Sequence, residues 1–187
     1  MPPALHRLLT ARGIASEAEA EAFLHPGEEQ LTDPMLLSDM GRAVARVRAA
    51  VSGGEVVCVY GDYDVDGVCA SAILSGHLKS LGCDARVYLP SRHSEGYGLN
   101  ADAVREIAGK AKLLITVDCG ISNAEEVALA KELGLTVIVT DHHQPPEILP
   151  EADAVMDPLL GNYPCPYLCG AGVALKICQA LQGMAGV

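Results

Sequence analysis

Apolar and polar positions follow two rhythms along this chain. Three short runs, VVCVY (56–60), LLITV (113–117) and TVIVT (136–140), are apolar almost without a break. Runs of five are too short for helices, and the lack of polar alternation reads as strands covered on both faces. Between them lie longer stretches that mix apolar and polar positions. SDMGRAVARVRAAVSGG places Val44, Val47 and Val51 on one stripe of a helix. The pattern predicts strands at 55–60, 85–89, 113–117, 136–140 and near 154–156. It predicts helices at about 66–81, about 100–109, 123–133 and 170–182. Alternating strands and helices specify an α/β fold: a doubly wound, mainly parallel sheet flanked by helices. Residues 3–38 read as short helical pieces, one stopping at Gly13 and one running from a capping Ser16 to Pro26-Gly27. The expected organisation is a helical N-terminal extension, 1–38, followed by an α/β domain, 39–187.

In such a sheet, ligands bind beyond the C-terminal ends of the strands. The first strand runs into YGDYDVDG, with Asp62, Asp64 and Asp66 at every second position. LLITV is followed by Asp118, and TVIVT by Asp141, His142 and His143. Three strands thus deliver acids and histidines to one edge. Crowded carboxylates repel one another unless a cation sits among them. Carboxylate and imidazole suit Mn²⁺, Mg²⁺ or Zn²⁺, and this many acids fit a pair of ions better than one. Taken singly, the same residues have plainer uses: Asp66 or Asn123 as helix caps, the histidines as exposed or satisfied residues.

Composition narrows the picture. Half the chain is hydrophobic but only 4% is aromatic, with no Trp, so the core is aliphatic. The net charge of −11 argues against a basic nucleic-acid surface. Its distribution softens that exclusion: nine of the 13 basic residues lie between 39 and 112, balancing nine acids there. Seven cysteines, an odd number set mostly in apolar runs, read as reduced core residues of a cytoplasmic protein. Cys165 and Cys169 lack a second Cys/His pair nearby, so no structural zinc is expected. No apolar run approaches the roughly 18 residues of a membrane span, and MPPALHRLLTARG lacks the features of a signal peptide.

DVDGV (64–68) also fits the first motif of haloacid-dehalogenase-like phosphatases, with Asp64 as nucleophile and Asp66 as general acid. That chemistry needs a later lysine, as a receiver domain does, and neither DCGIS nor DHHQ carries one. GDYDVDG, VDCGIS and TDHHQPPEILPEADAVMDP together resemble the DHH phosphoesterase superfamily. The resemblance is closest to RecJ-type single-strand-specific 5′→3′ exonucleases. It extends through the N-terminal stretch, YLPSRHSEGYGLN (88–100) and LCGAGVALKICQAL (168–181).

The resemblance implies a two-metal centre of Mn²⁺ or Mg²⁺. Asp64 and Asp66 would hold one ion each, Asp118 both, and His142 would complete one site, with Asp62 a further ligand or an outer group. His143 would face the scissile phosphate, and Asp141 would orient its neighbours. Arg92 and His93 would contact phosphate and Tyr97 a base, the alternative for Tyr97 being loop packing. Single-stranded DNA is the implied substrate, with repair or replication proteins as partners and no membrane. Two features depart from the family: Tyr60 stands where a histidine is common, and a fourth metal-binding Asp expected beyond the 170–182 helix is not present. The domain is therefore expected to be incomplete at its C-terminal end. The alternatives are a phosphodiesterase for short oligonucleotides or cyclic dinucleotides, and a non-catalytic module that binds nucleic acid or protein.

Overall fold

A computed structural model of the chain describes residues 1–91 and 96–183, which divide into two compact units, Met1–Thr32 and Asp33–Val187. The first unit holds α1 (Pro3–Ala11) and α2 (Glu17–Leu24). Ser16 opens α2 through a capping box: its hydroxyl accepts from Glu19 N while the Glu19 carboxylate accepts from Ser16 N.

The second unit runs α3 (Met40–Ser52), β1 (Val56–Gly61), α4 (Val65–Ser80), β2 (Asp84–Tyr88), α5 (Ala101–Ala108), β3 (Leu113–Val117), α6 (Ala124–Glu132), β4 (Thr136–Thr140), β5 (Ala154–Met156) and α7 (Gly170–Gln182). The strands form one fully parallel sheet in the order β2-β1-β3-β4-β5, the doubly wound α/β fold expected. Successive side chains of a strand point to opposite faces, and the core splits accordingly. Val57, Val59, Leu113 and Ile115 pack with Val47 of α3, Leu74 of α4 and Ile177 of α7. Cys58, Tyr60, Leu114 and Val139 pack with Val104 of α5 and Val127 of α6 on the other face.

Tyr60 lies in this second core, fully buried and stacked on Tyr88, and its hydroxyl donates to Gly98 O at 2.9 Å. Of the seven free cysteines, Cys58, Cys83, Cys119 and Cys178 are buried, Cys165 is half-buried, and Cys69 and Cys169 are exposed. Among the described residues no helix is long and apolar enough to cross a membrane.

The β5 edge is closed by Asp39, a non-glycine residue at φ 57° whose Oδ2 accepts from Val155 N at 3.0 Å and whose Oδ1 meets Arg42. Asp39→Ala leaves the N–H of a buried residue without its partner in a backbone region that alanine resists. It should lower stability by about 2 kcal/mol, and Asp39→Asn by less. Urea midpoints of the two variants check this.

Candidate metal centre

Strand register builds the site. Gly61 pairs with Val117, Val117 with Thr140, and Thr140 with Met156. One step further along each strand lie Asp62, Asp118, Asp141 and Asp157, a row of four carboxylates, each no more than 2% exposed. The sequence pattern shows three members. The fourth, Asp157 in VMDP, follows a strand of only three residues, too short for the apolar-run signal to mark.

The four side chains are satisfied unequally. Asp141 is saturated: Oδ2 accepts from Ile121 N at 3.0 Å, and Oδ1 from His142 N, His143 N and His143 Nδ1, the last at 2.7 Å. Asp62 Oδ2 takes a long 3.4 Å bond from Asp64 N, while Asp62 Oδ1 has no hydrogen-bond partner among the described residues. Asp118, at φ 61°, has an Oδ1 without a hydrogen-bond partner among the described residues, although His142 Nε2 stands 3.0 Å away. Burial, then the charges of Asp66 and Asp64, push the Asp118 carboxyl up to about 8. Asp157 ties one oxygen to Leu159 N at 2.7 Å and leaves the other unpartnered among the described residues. Burial, partly offset by that bond, brings Asp157 to about 6.

Two helix N-termini close over the row. Asp64, not Asp66, is the cap of α4, its Oδ1 accepting from Asp66 N and Gly67 N at 2.9 and 3.0 Å. Asp66 falls inside the first turn, where its carboxylate reaches α7 instead, accepting from Gly170 N at 2.6 Å and Ala171 N at 2.8 Å. Burial works to raise the Asp66 pKa, but these two N–H groups and the Cys169 side chain outweigh it and hold it low. Two glycines permit the approach. A Cβ on Gly67 would meet the Asp62 backbone at 2.5 Å, and one on Gly170 the Asp118 side chain at 2.6 Å. Asn123 stands at the start of α6 but does not cap it. Its amide instead bridges Leu99 N and Leu99 O, pinning the 98–100 segment.

Among the described residues two ligand sets emerge, each with donor atoms within 4.8 Å of one another: Asp62, Asp64 and Asp118, and Asp118, His142 and His143. Asp118 belongs to both. Asp66 belongs to neither, though its Oδ2 lies 3.5 Å from His142 Nε2. Unpartnered buried carboxylate oxygens beside an imidazole are a donor set that fits a divalent cation. Tyr97 comes to the same place: its hydroxyl lies 3.4 Å from Asp118 O and 3.2 and 3.3 Å from the two ring nitrogens of His143. Arg92 and His93 lie outside the described residues.

A model of the DHH family N-terminal domain matches residues 56–186. The chain belongs to the DHH family. This DHH domain is 40% identical, over 97% of its length, to the single-stranded-DNA-specific exonuclease RecJ of Bacillus subtilis (strain 168). It spans only 23% of that relative. Exonuclease RecJ bound to manganese superposes with a TM-score of 0.74 at 38% identity, over 82% of this chain and 40% of that one. RecJ in complex with Mn²⁺ from Thermus thermophilus gives 0.72 at 32% identity, over 100% of this chain and 28% of that one.

Between about pH 4 and pH 8 the folded DHH domain holds a proton on Asp118 that the unfolded chain has released. Its contribution to metal-free stability therefore falls as pH rises through that window. Asp118→Asn removes the crowded charge and keeps a residue tolerant of positive φ. It should stabilise the metal-free protein at pH 8 by about 1–3 kcal/mol and abolish the rise in melting temperature caused by Mn²⁺. Thermal melts with and without Mn²⁺ check both.

Proposed function

We propose that this chain is part of the catalytic core of a metal-dependent, single-strand-specific 5′→3′ DNA exonuclease. The observation that carries the reading is the row of buried carboxylates, with unpartnered oxygens on Asp62 and Asp118 and His142 beside them. Its likeness to RecJ exonucleases, including structures bound to Mn²⁺, supports the same reading. Asp62, Asp64 and Asp118 would hold one cation, Mn²⁺ or Mg²⁺, and Asp118 and His142 a second, with Asp66 beside them at α7. Bound there, two such ions activate water and neutralise charge on the reacting phosphoryl oxygens.

The remaining work falls to the chain. The Asp141 carboxylate, filled by N–H donors, can only accept, so His143 carries its proton on Nδ1 and leaves Nε2, 3.3 Å from the Tyr97 hydroxyl, as its second nitrogen. Burial works to lower the His143 pKa, but the bond to Asp141 and its charge outweigh this and raise it. His143 is therefore suited to give a proton to a leaving oxygen or to hold a phosphate oxygen. Tyr97, an edge contact of His143 and 56% exposed, would touch an incoming nucleotide.

The reading is tested with 5′-labelled single-stranded DNA and Mn²⁺, on this chain and on a version extended at its C-terminus. Mononucleotides should be released from the 5′ end, duplex should resist, and His143→Gln should lower the rate by a factor of about 100 or more. Faster hydrolysis of dinucleotides than of long strands would move the assignment to a small-nucleotide phosphodiesterase. Binding of single strands without any hydrolysis by either version would move it to a non-catalytic module.

A further inference from the structure

Asp157 ends β5 one register step beyond Met156, which pairs with Thr140, and Asp141 N donates to Met156 O at 3.0 Å. Paired neighbours in a parallel ladder share a face, so Asp157 and Asp141 are adjacent carboxylates, at 0% and 1% exposure. Asp157 exerts its charge on Asp141 and on His143.

A carboxylate is not needed there for the turn. Its one side-chain hydrogen bond among the described residues, from Leu159 N, is an Asx-type contact that asparagine supplies equally well. Asparagine would also avoid placing a buried anion beside Asp141. A purely structural acid would bind both oxygens, as Asp141 does, whereas the second oxygen of Asp157 has no partner among the described residues. What asparagine cannot provide is the charge.

We propose that Asp157 is a positioning residue for the Asp141–His143 pair, an outer anion that strengthens the bond between them and so fixes the imidazole with Nδ1 on Asp141. A second negative charge beside Asp141 makes it the stronger acceptor, and the Nδ1 proton of His143 is the donor that relieves it. Asp157 is fully buried and touches no substrate. This inference rests on the exonuclease reading only for its kinetic consequence.

The test uses the full chain and two variants, Asp157→Asn and Asp157→Ser. Both keep an acceptor for Leu159 N and both drop the charge; serine serves if the amide does not fold. In proton NMR of the metal-free and Mg²⁺-loaded protein, the His143 Nδ1–H resonance is identified by its loss in His143→Gln. It should move upfield in both Asp157 variants. On single-stranded DNA, kcat should fall about tenfold with KM and Mn²⁺ affinity unchanged. A resonance that stays in place in a folded variant overturns the proposal, and so does a change in KM instead of kcat. If neither this chain nor a version extended at its C-terminus hydrolyses single-stranded DNA, the exonuclease reading fails and the resonance alone decides the role of Asp157.

Discussion

Parallel pairing is the constraint on which everything else in this domain depends. Four strands that run the same way in register must end at one level, so the residues just past Gly61, Val117, Thr140 and Met156 become neighbours. All four are aspartates, buried in a sheet edge where water cannot screen them. The pairing energy of the β-core and the repulsion of the carboxylates are therefore opposed by construction. The fold tolerates the charge by treating each acid differently: Asp141 is filled with N–H donors, while Asp62 and Asp118 keep oxygens turned to a site that suits a cation.

The helices share in this compensation. Positive ends of helix dipoles favour anions, and both α4 and α7 begin at the acid row. Asp64 satisfies the first turn of α4, and Asp66 satisfies that of α7. Neither approach is open to a residue with a side chain at Gly67 or Gly170. The strained backbone at Asp118, φ 61°, is a further cost accepted at the same spot.

Much of this was legible in the sequence, for physical reasons that also explain what was not. Strands covered on both faces advertise themselves as apolar runs, so β1, β3 and β4, and with them Asp62, Asp118 and Asp141, stood out. A three-residue strand leaves no such run, and Asp157 stayed hidden although VMDP repeats the strand-then-acid pattern of the other three. Asp66 read as a possible helix cap; that its carboxylate serves α7 while Asp64 caps α4 depends on where α7 lies, which no local pattern encodes. Asn123 was placed correctly at a helix start, yet its amide serves the 98–100 segment, a neighbour only in space. Tyr97 read as a residue for a base or for loop packing; that its hydroxyl also reaches Asp118 O and His143 depends on neighbours far along the chain.

The hydrogen bonds from Gly170 and Ala171 to Asp66 join residues 104 and 105 positions apart. Closing so long a loop carries an entropic cost that only an assembled core offsets. In a chain made from its N-terminus, the first motif leaves the ribosome well before its partner exists. Until α7 arrives, Asp66 has no helix end to bind, and the acid cluster lacks one wall. The acidic edge is thus completed late in synthesis, as a product of the whole domain rather than of the motif that names it.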